Sequence, residues 1–174
     1  PQESTQPYPA LPAELEASIY AKMEAAKVPG LASCIIKDQT IYWCGGFGAA
    51  NIELESPVSE HTPFLLASIS KTFTAALVLQ LRDEGALDLQ EDLDALLGWD
   101  LAHPLYDAPL TMHQLLTHTS SIDDNWGAMG DFYGVDEDPP MSLQEAVEGY
   151  LQPDGQWYDA EANFTPDAPG LTHH

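Results

Sequence analysis

A serine and a lysine three positions apart are the residues of this chain best suited to chemistry. They are Ser68 and Lys71, and they follow the apolar run Phe64-Leu65-Leu66-Ala67. If a helix begins here, the i, i+3 spacing places both side chains over one face, where they can touch. A serine hydroxyl becomes a nucleophile when a neighbouring base takes its proton, and a lysine amine can be that base. The pair therefore predicts covalent catalysis by Ser68, with Lys71 as its base.

A helix from Ser68 to about Glu84 is the element that must position this pair, and Gly85 is placed to end it. The N–H groups of its first turn favour negative charge at the serine's reaction centre. Apolar residues lie around much of its surface, which is typical of a helix covered on several sides. We expect it to bury Phe73, Leu77, Leu79 and Leu81.

An S-x-x-K spacing also occurs between ordinary surface residues, so the neighbouring segments have to decide its meaning. Upstream lie Val28-Pro29-Gly30-Leu31-Ala32 and Gly45-Gly46-Phe47-Gly48, and downstream lies Leu115-Leu116-Thr117-His118-Thr119-Ser120-Ser121. Together these segments resemble the serine β-lactamase and penicillin-binding-protein superfamily. The closest branch is that of class C β-lactamases, D-amino-acid peptidases and related esterases, and the likeness covers residues 12 to about 125.

The resemblance implies roles for individual residues. Ser68 matches the acylated nucleophile of the family, and Lys71 matches its partner base. Thr119 and Ser120 match the H-T-S-G segment, with Ser121 where glycine is usual. The substrate implied is a β-lactam, a D-amino-acid peptide or a small ester, and neither a metal nor a cofactor is implied.

The resemblance also implies two segments that this sequence does not contain. In the family, a Tyr-x-Asn segment follows a Pro-Gly by a few residues, and a Lys-Thr-Gly or His-x-Gly strand comes much later. Pro169-Gly170 matches the Pro-Gly that precedes the Tyr-x-Asn segment, but neither segment follows it here. We therefore expect this chain to be an N-terminal fragment that a complementary C-terminal chain or segment completes. Expressed alone, it is expected to be insoluble or molten and not to acylate at Ser68.

Patterning along the chain predicts an α+β fold of the β-lactamase/transpeptidase type. An amphipathic helix is expected over residues 12–27, and a hairpin over 31–36 and 40–47. Everything beyond the motif helix is expected to be helical or irregular, with Thr111 and Ser142 as helix caps. The predicted division is an extended arm at 1–11, the helix and hairpin of the sheet domain at 12–62, and most of the helical domain at 63–174.

Charge limits the partners. The chain carries 28 acidic and 5 basic residues, and every lysine and arginine lies at or before Arg82. Such a surface repels nucleic acid and anionic lipid heads, so neither is expected as a partner. It either attracts cationic substrates or is simply a solvated acidic surface. No apolar run reaches the length of about 18 residues that a membrane span needs.

Two cysteines bear on the compartment. Cys34 and Cys44 fall on the two strands of the predicted hairpin, so they form either a cross-strand disulfide or two buried thiols. The chain begins at Pro1 with a polar, proline-containing stretch, which is typical either of an exported protein after removal of its leader or of an artificial cut in a longer sequence. We therefore expect a secreted or periplasmic protein.

Residues 122–140 form an acidic stretch that we interpret as a solvated loop. Its acids do not follow the spacing of a calcium-binding EF-hand. His113 and His118 are five residues apart, which does not place them on one helix face as zinc ligands. We expect His118 to be a hydrogen-bonded structural residue and His113 a surface residue.

A second hypothesis is a non-catalytic relative, which would use the same pocket to bind peptides or to assemble with partners. An intact pair of Ser68 and Lys71 argues against it, because a binding module does not need both residues.

Overall fold

The computed structural model describes residues 8–133, 139 and 141–173. The chain divides into two compact units, the first Pro1–Ala67 and the second Ser68–His174. Residues 1–7 of the predicted arm lie outside the described residues, as do Asp136, Glu137 and Asp138 of the acidic loop.

The first unit packs one helix on a small antiparallel sheet. Helix α1 (Ala13–Ala26) begins after Pro12 and ends at Lys27, which adopts a left-handed conformation with φ 56°. Strands β1 (Gly30–Lys37), β2 (Thr40–Asn51) and β3 (Ser56–Pro57) follow in the order β1-β2-β3.

A small apolar core holds this helix against the sheet. Its buried members are Met23 of α1 and Trp43 and Phe47 of β2. The ring of Tyr20 meets that of Phe47 edge to face, with centroids 5.8 Å apart. One helix packed on a hairpin is the expected arrangement for this part of the chain.

Glycines in β2 allow close backbone contact. A side chain at Gly46 would collide with the carbonyl of Val58, and one at Gly48 with that of Pro29. Gly48 also has φ +71°, which glycine adopts without steric cost. These positions serve packing of the sheet.

Cys34 and Cys44 face each other across β1 and β2, and they form a disulfide. Their Cα atoms are 4.1 Å apart. The bridge is therefore the alternative that the structure adopts. Cys44 is buried, whereas Cys34 is exposed.

We expect a thiol assay under denaturing, non-reducing conditions to find no free cysteine. Replacing both residues, in Cys34→Ala with Cys44→Ala, should lower the free energy of unfolding by about 2 kcal/mol, because the bridge restricts the unfolded chain. Urea unfolding of the double variant and the wild type measures the difference. Two titratable thiols in the wild type would contradict the prediction.

The second unit begins with the predicted motif helix. A 3-10 turn (Ala67–Ile69) leads into helix α2 (Ser70–Asp83). Gly85 ends the helix as predicted, with φ +73° and with its N–H donating to Arg82 O, while Ala86 N donates to Leu81 O. These two bonds form a Schellman motif.

The expected burial of α2 is not observed. No residue of α2 is buried, and Phe73 and Leu77 are each 61% exposed. Leu79 and Leu81 are less exposed, at 38% and 43%. The amphipathic sequence therefore leaves much apolar helix surface in contact with solvent.

The described residues that follow α2 form short helices joined by irregular segments. Thr111 and Ser142 each form a capping box, with Gln114 and Glu145 respectively, as predicted for Ser142. Both caps satisfy backbone N–H groups at the helix start. The helices are α3 (Leu93–Leu97), α4 (Met112–Leu116), α5 (Trp126–Met129) with a 3-10 turn (Gly130–Phe132), and α6 (Leu143–Leu151).

The core of this unit joins segments that are distant in the chain. Leu93, Leu101, Leu110 and Phe164 form its buried centre. Ile122 is paired with Phe164 through an isolated antiparallel bridge, so the end of the chain returns beside the start of the acidic stretch. The α+β class is thus confirmed.

His103 is buried at the edge of this core and predicts a pH dependence of stability. Its Nδ1 accepts a hydrogen bond from Leu105 N at 3.1 Å, and its Nε2 has no partner among the described residues. Burial lowers the pKa of His103 below its ordinary value of 6.5. The unfolded chain therefore takes up this proton first as the pH falls.

We expect the contribution of His103 to the free energy of unfolding to be full above pH 6.5. It should decline as the pH falls from 6.5 towards the lowered pKa of the folded state. Urea unfolding across this window should show a shallower decline in His103→Phe than in the wild type. An equal slope in His103→Phe and the wild type would count against this assignment.

Candidate active site

Ser68 and Lys71 lie beside each other at the start of α2. Ser68 lies on the 3-10 turn rather than in the α-helix itself, and Lys71 is the second residue of α2. Lys71 Nζ donates a hydrogen bond to Ser68 Oγ at 3.2 Å, and both side chains are exposed. The i, i+3 spacing therefore produces the contact that proton transfer between the two groups requires.

The pair lines a cavity of about 540 Å³ within the second unit. The side chains around it include an amine, two hydroxyls, an imidazole and two carboxylates. Its lining residues are Ser68, Lys71, Thr72, His118, Ile122, Asp123 and Asp124. The sequence predicted the first two of these for the site. It did not predict that the segment after the H-T-S motif would form the opposite side.

His118 differs from its expected structural role. Its side chain makes no hydrogen bond to another described residue, and its ring lies against that of His173, with centroids 5.6 Å apart. The backbone at His118 is left-handed, with φ 54°. His118 thus contributes an imidazole to the cavity wall. The only signal for this in the sequence was its place at the start of the H-T-S segment.

Ser121 adopts a backbone conformation that suits glycine, the residue that the resemblance implies at this position. Its φ is 65°, a conformation that glycine adopts freely and that is unfavourable for other L-residues. Ser121 is 1% exposed, and its Oγ donates to Asp167 O at 2.7 Å. A hydrogen bond of this kind contributes about 1 kcal/mol, which offsets much of the backbone penalty.

Buried hydrogen bonds hold the acidic part of the cavity wall in place. Tyr150 Oη donates to Asp123 O at 2.6 Å and accepts from Asn125 N at 2.7 Å. Asp123 N donates to Asn163 O at 2.8 Å, and Asn125 Nδ2 donates to Asn163 Oδ1 at 2.8 Å. The backbone that carries Asp123 and Asp124 is therefore fixed from both sides.

Tyr150 remains a phenol in this arrangement. Burial raises its pKa, and the nearby carboxylates of Asp124 and Asp123 raise it further, while the hydrogen bond from Asn125 N opposes them. A neutral hydroxyl can donate and accept at once, as the two bonds of Tyr150 require.

No group of three or more His, Cys, Asp or Glu residues in the described part of the chain is placed to hold a metal ion. None of the helices found in that same part is long and apolar enough to cross a membrane.

Comparison with known proteins identifies the family. The model of the family described as Beta-lactamase matches residues 15–165. The chain belongs to this family. The match includes both units of the fold and every residue that lines the Ser68 cavity.

Individual proteins also resemble parts of the chain. A penicillin-binding protein of Bacillus subtilis (strain 168) is 32% identical over 124 residues, which is 68% of this chain and 26% of that protein. A D-aminopeptidase of Gluconobacter oxydans (strain 621H) is 34% identical over 115 residues, or 66% of this chain and 21% of that protein. The matched part thus spans about a quarter of the length of these relatives.

A solved structure supports the fold. The octameric penicillin-binding protein homologue from Pyrococcus abyssi matches with a TM-score of 0.67 and 31% sequence identity. The match covers 92% of this chain and 34% of that one. The predicted β-lactamase-like fold, with helices and a small antiparallel sheet, is therefore confirmed.

Proposed function

We propose that this protein is a serine hydrolase that forms a covalent acyl ester on Ser68. The observation that carries the proposal is the 3.2 Å hydrogen bond between Lys71 Nζ and Ser68 Oγ at the wall of a cavity. Membership of the Beta-lactamase family supports it, as do relatives named as a penicillin-binding protein and a D-aminopeptidase. The substrate proposed is an amide or ester, drawn from β-lactams, D-amino-acid peptides and small esters.

The mechanism follows from the pair. The neutral amine of Lys71 takes the proton of Ser68 Oγ as the oxygen bonds to the substrate's carbonyl carbon. The Ser68 backbone N–H supplies half of the oxyanion hole for the resulting tetrahedral intermediate. The intermediate collapses to an acyl ester when the leaving nitrogen or oxygen takes the proton back from Lys71. Water then hydrolyses the ester and regenerates Ser68.

Two further proposals concern the setting of the site. The disulfide between Cys34 and Cys44 supports a secreted or periplasmic protein, because such bridges persist in oxidising compartments. The exposed apolar residues of α2 support a C-terminal chain or segment that completes the fold. On this proposal, residues 1–174 alone do not acylate, and adding the C-terminal piece restores acylation. An active, cooperatively folded 174-residue chain would contradict it.

Mass spectrometry after treatment with a fluorophosphonate or a penicillin tests the hydrolase proposal. We expect one covalent adduct on the peptide that contains Ser68. The adduct should be lost in Ser68→Ala and retained in Ser70→Ala, a matched change two residues away. Absence of any adduct in the complete, folded protein would overturn the proposal and favour the non-catalytic binding hypothesis.

A further inference from the structure

A second cavity adjoins the one that Ser68 lines. It has a volume of about 640 Å³, which is within the range of small-molecule sites. Most of its wall is apolar and comes from α5, α6 and the residues before α6. The main apolar residues are Met129, Phe132, Met141, Leu143, Val147 and Leu151.

The two cavities share a wall. Ile122, Asp123 and Asp124 line both of them, so one short segment separates the nucleophile from the apolar space. A substrate whose carbonyl carbon lies at Ser68 therefore has this apolar space next to it. The shared wall is held by the hydrogen bonds of Tyr150 and Asn163, and Tyr150 itself lines the second cavity.

The charge of the shared wall determines which substrate groups are favoured beside it. Asp123 and Asp124 are both exposed. Within the described ranges, neither is among the ion pairs closer than 4.0 Å, which join His61 to Glu60 and Arg82 to Asp83. No lysine or arginine follows Arg82 in the sequence. A cationic group beside this wall is favoured, and a carboxylate there is repelled.

We propose that the second cavity is the subsite for an apolar acyl side chain, and that Asp123 and Asp124 favour an ammonium group on the same acyl part. The substrates are then amides or esters of apolar amino acids with a free amino group. This inference rests on the proposed acylation of Ser68 and narrows its substrate class. The apolar wall excludes water from the side chain, and the carboxylates at the boundary discriminate against anionic acyl groups.

The experiment uses the protein completed by its C-terminal piece and compares kcat/KM for p-nitroanilides of leucine, glycine and N-succinyl-leucine, with both enantiomers of the leucine compounds. The wild type should prefer leucine to glycine, and free leucine to its succinyl derivative. Filling the cavity in Val147→Trp should lower the ratio of leucyl to glycyl kcat/KM by about 10- to 100-fold, the scale of discrimination in an apolar pocket. Ala146→Leu is the milder variant if Val147→Trp does not fold.

Two further variants complete the design. Leu105→Trp adds the same indole at an exposed position outside the cavity and should leave both ratios unchanged. The double variant Asp123→Asn with Asp124→Asn should lower the preference for the free amine over the succinyl derivative by about 10-fold or more.

The possible results distinguish a failure of the proposed subsite from a failure of the proposed acylation of Ser68. Unchanged leucyl-to-glycyl ratios in folded Val147→Trp or Ala146→Leu would overturn the subsite, while fluorophosphonate labelling of Ser68 would still support the hydrolase. Absence of Ser68 labelling in the wild type would overturn both. A wild type that prefers the succinyl derivative would refute the assigned role of the two carboxylates.

Discussion

Replacing Lys71 with alanine is expected to slow acylation of Ser68 by about two to four orders of magnitude, the usual scale for loss of a general base. Lys71 Nζ lies 3.2 Å from Ser68 Oγ, and its side chain is exposed, so the change removes the base without removing core packing. Stopped-flow measurement of the acylation rate of the protein completed by its C-terminal piece, with a chromogenic ester or a fluorophosphonate, gives the ratio to the wild type.

Lys71→Arg is the matched control. Arginine keeps the positive charge and the hydrogen-bond donors, but it does not lose its proton in proteins and cannot act as a base. We therefore expect Lys71→Arg to acylate nearly as slowly as Lys71→Ala. Near-native acylation by either variant would exclude Lys71 as the base, and thermal unfolding of both would show whether the fold is intact.

Replacing Asn163 with alanine should have the largest effect on stability, lowering the free energy of unfolding by about 3 kcal/mol. Asn163 is 0% exposed, and its Nδ2 donates to Tyr150 O at 2.7 Å and to Trp157 O at 2.8 Å. Its Oδ1 accepts from Asn125 Nδ2. Each group left unpaired in the interior costs about 1–3 kcal/mol. Urea unfolding of the variant and the wild type measures the loss.

Two controls define the origin of this effect. Asn163→Asp keeps the oxygen that accepts from Asn125, but it places a buried carboxylate against two carbonyl oxygens. We therefore expect it to lower the free energy of unfolding at pH 7 at least as much as Asn163→Ala does. Gln144→Ala removes an exposed amide that donates to Glu148 Oε1, and it should change stability by less than about 0.5 kcal/mol. Equal stability of Asn163→Ala and Gln144→Ala would refute the role of the buried network.

The features that the sequence predicted best depend on residues close together in the chain. The contact between Ser68 and Lys71 follows from a three-residue spacing at a helix start. The capping box of Ser142 and Glu145 and the end of α2 at Gly85 depend on equally short intervals. The pairing of Cys34 with Cys44 was one of two alternatives, because a hairpin brings them opposite but does not by itself set the register.

The sequence could not predict the surroundings of the pair. His118 and Asp123 line the same cavity as Ser68, although they are some fifty residues further along the chain. Ser121 is buried and donates a hydrogen bond to Asp167 O, 46 residues away, at a position where the resemblance implied glycine. The prediction for helix α2 was wrong in the other direction. Its apolar residues indicated burial, but none of its residues is buried in the described structure.

The sequence alone thus predicted the contact between Ser68 and Lys71 and the family, because short spacings constrain local geometry directly. Only the tertiary structure decided which side chains surround Ser68 and where an apolar cavity adjoins it. The shared wall at Asp123 and Asp124 is held by Tyr150 and Asn163, which are 27 and 40 residues from Asp123. Such contacts form when the chain folds back on itself to bury Leu110 and Phe164, and no local pattern encodes that return.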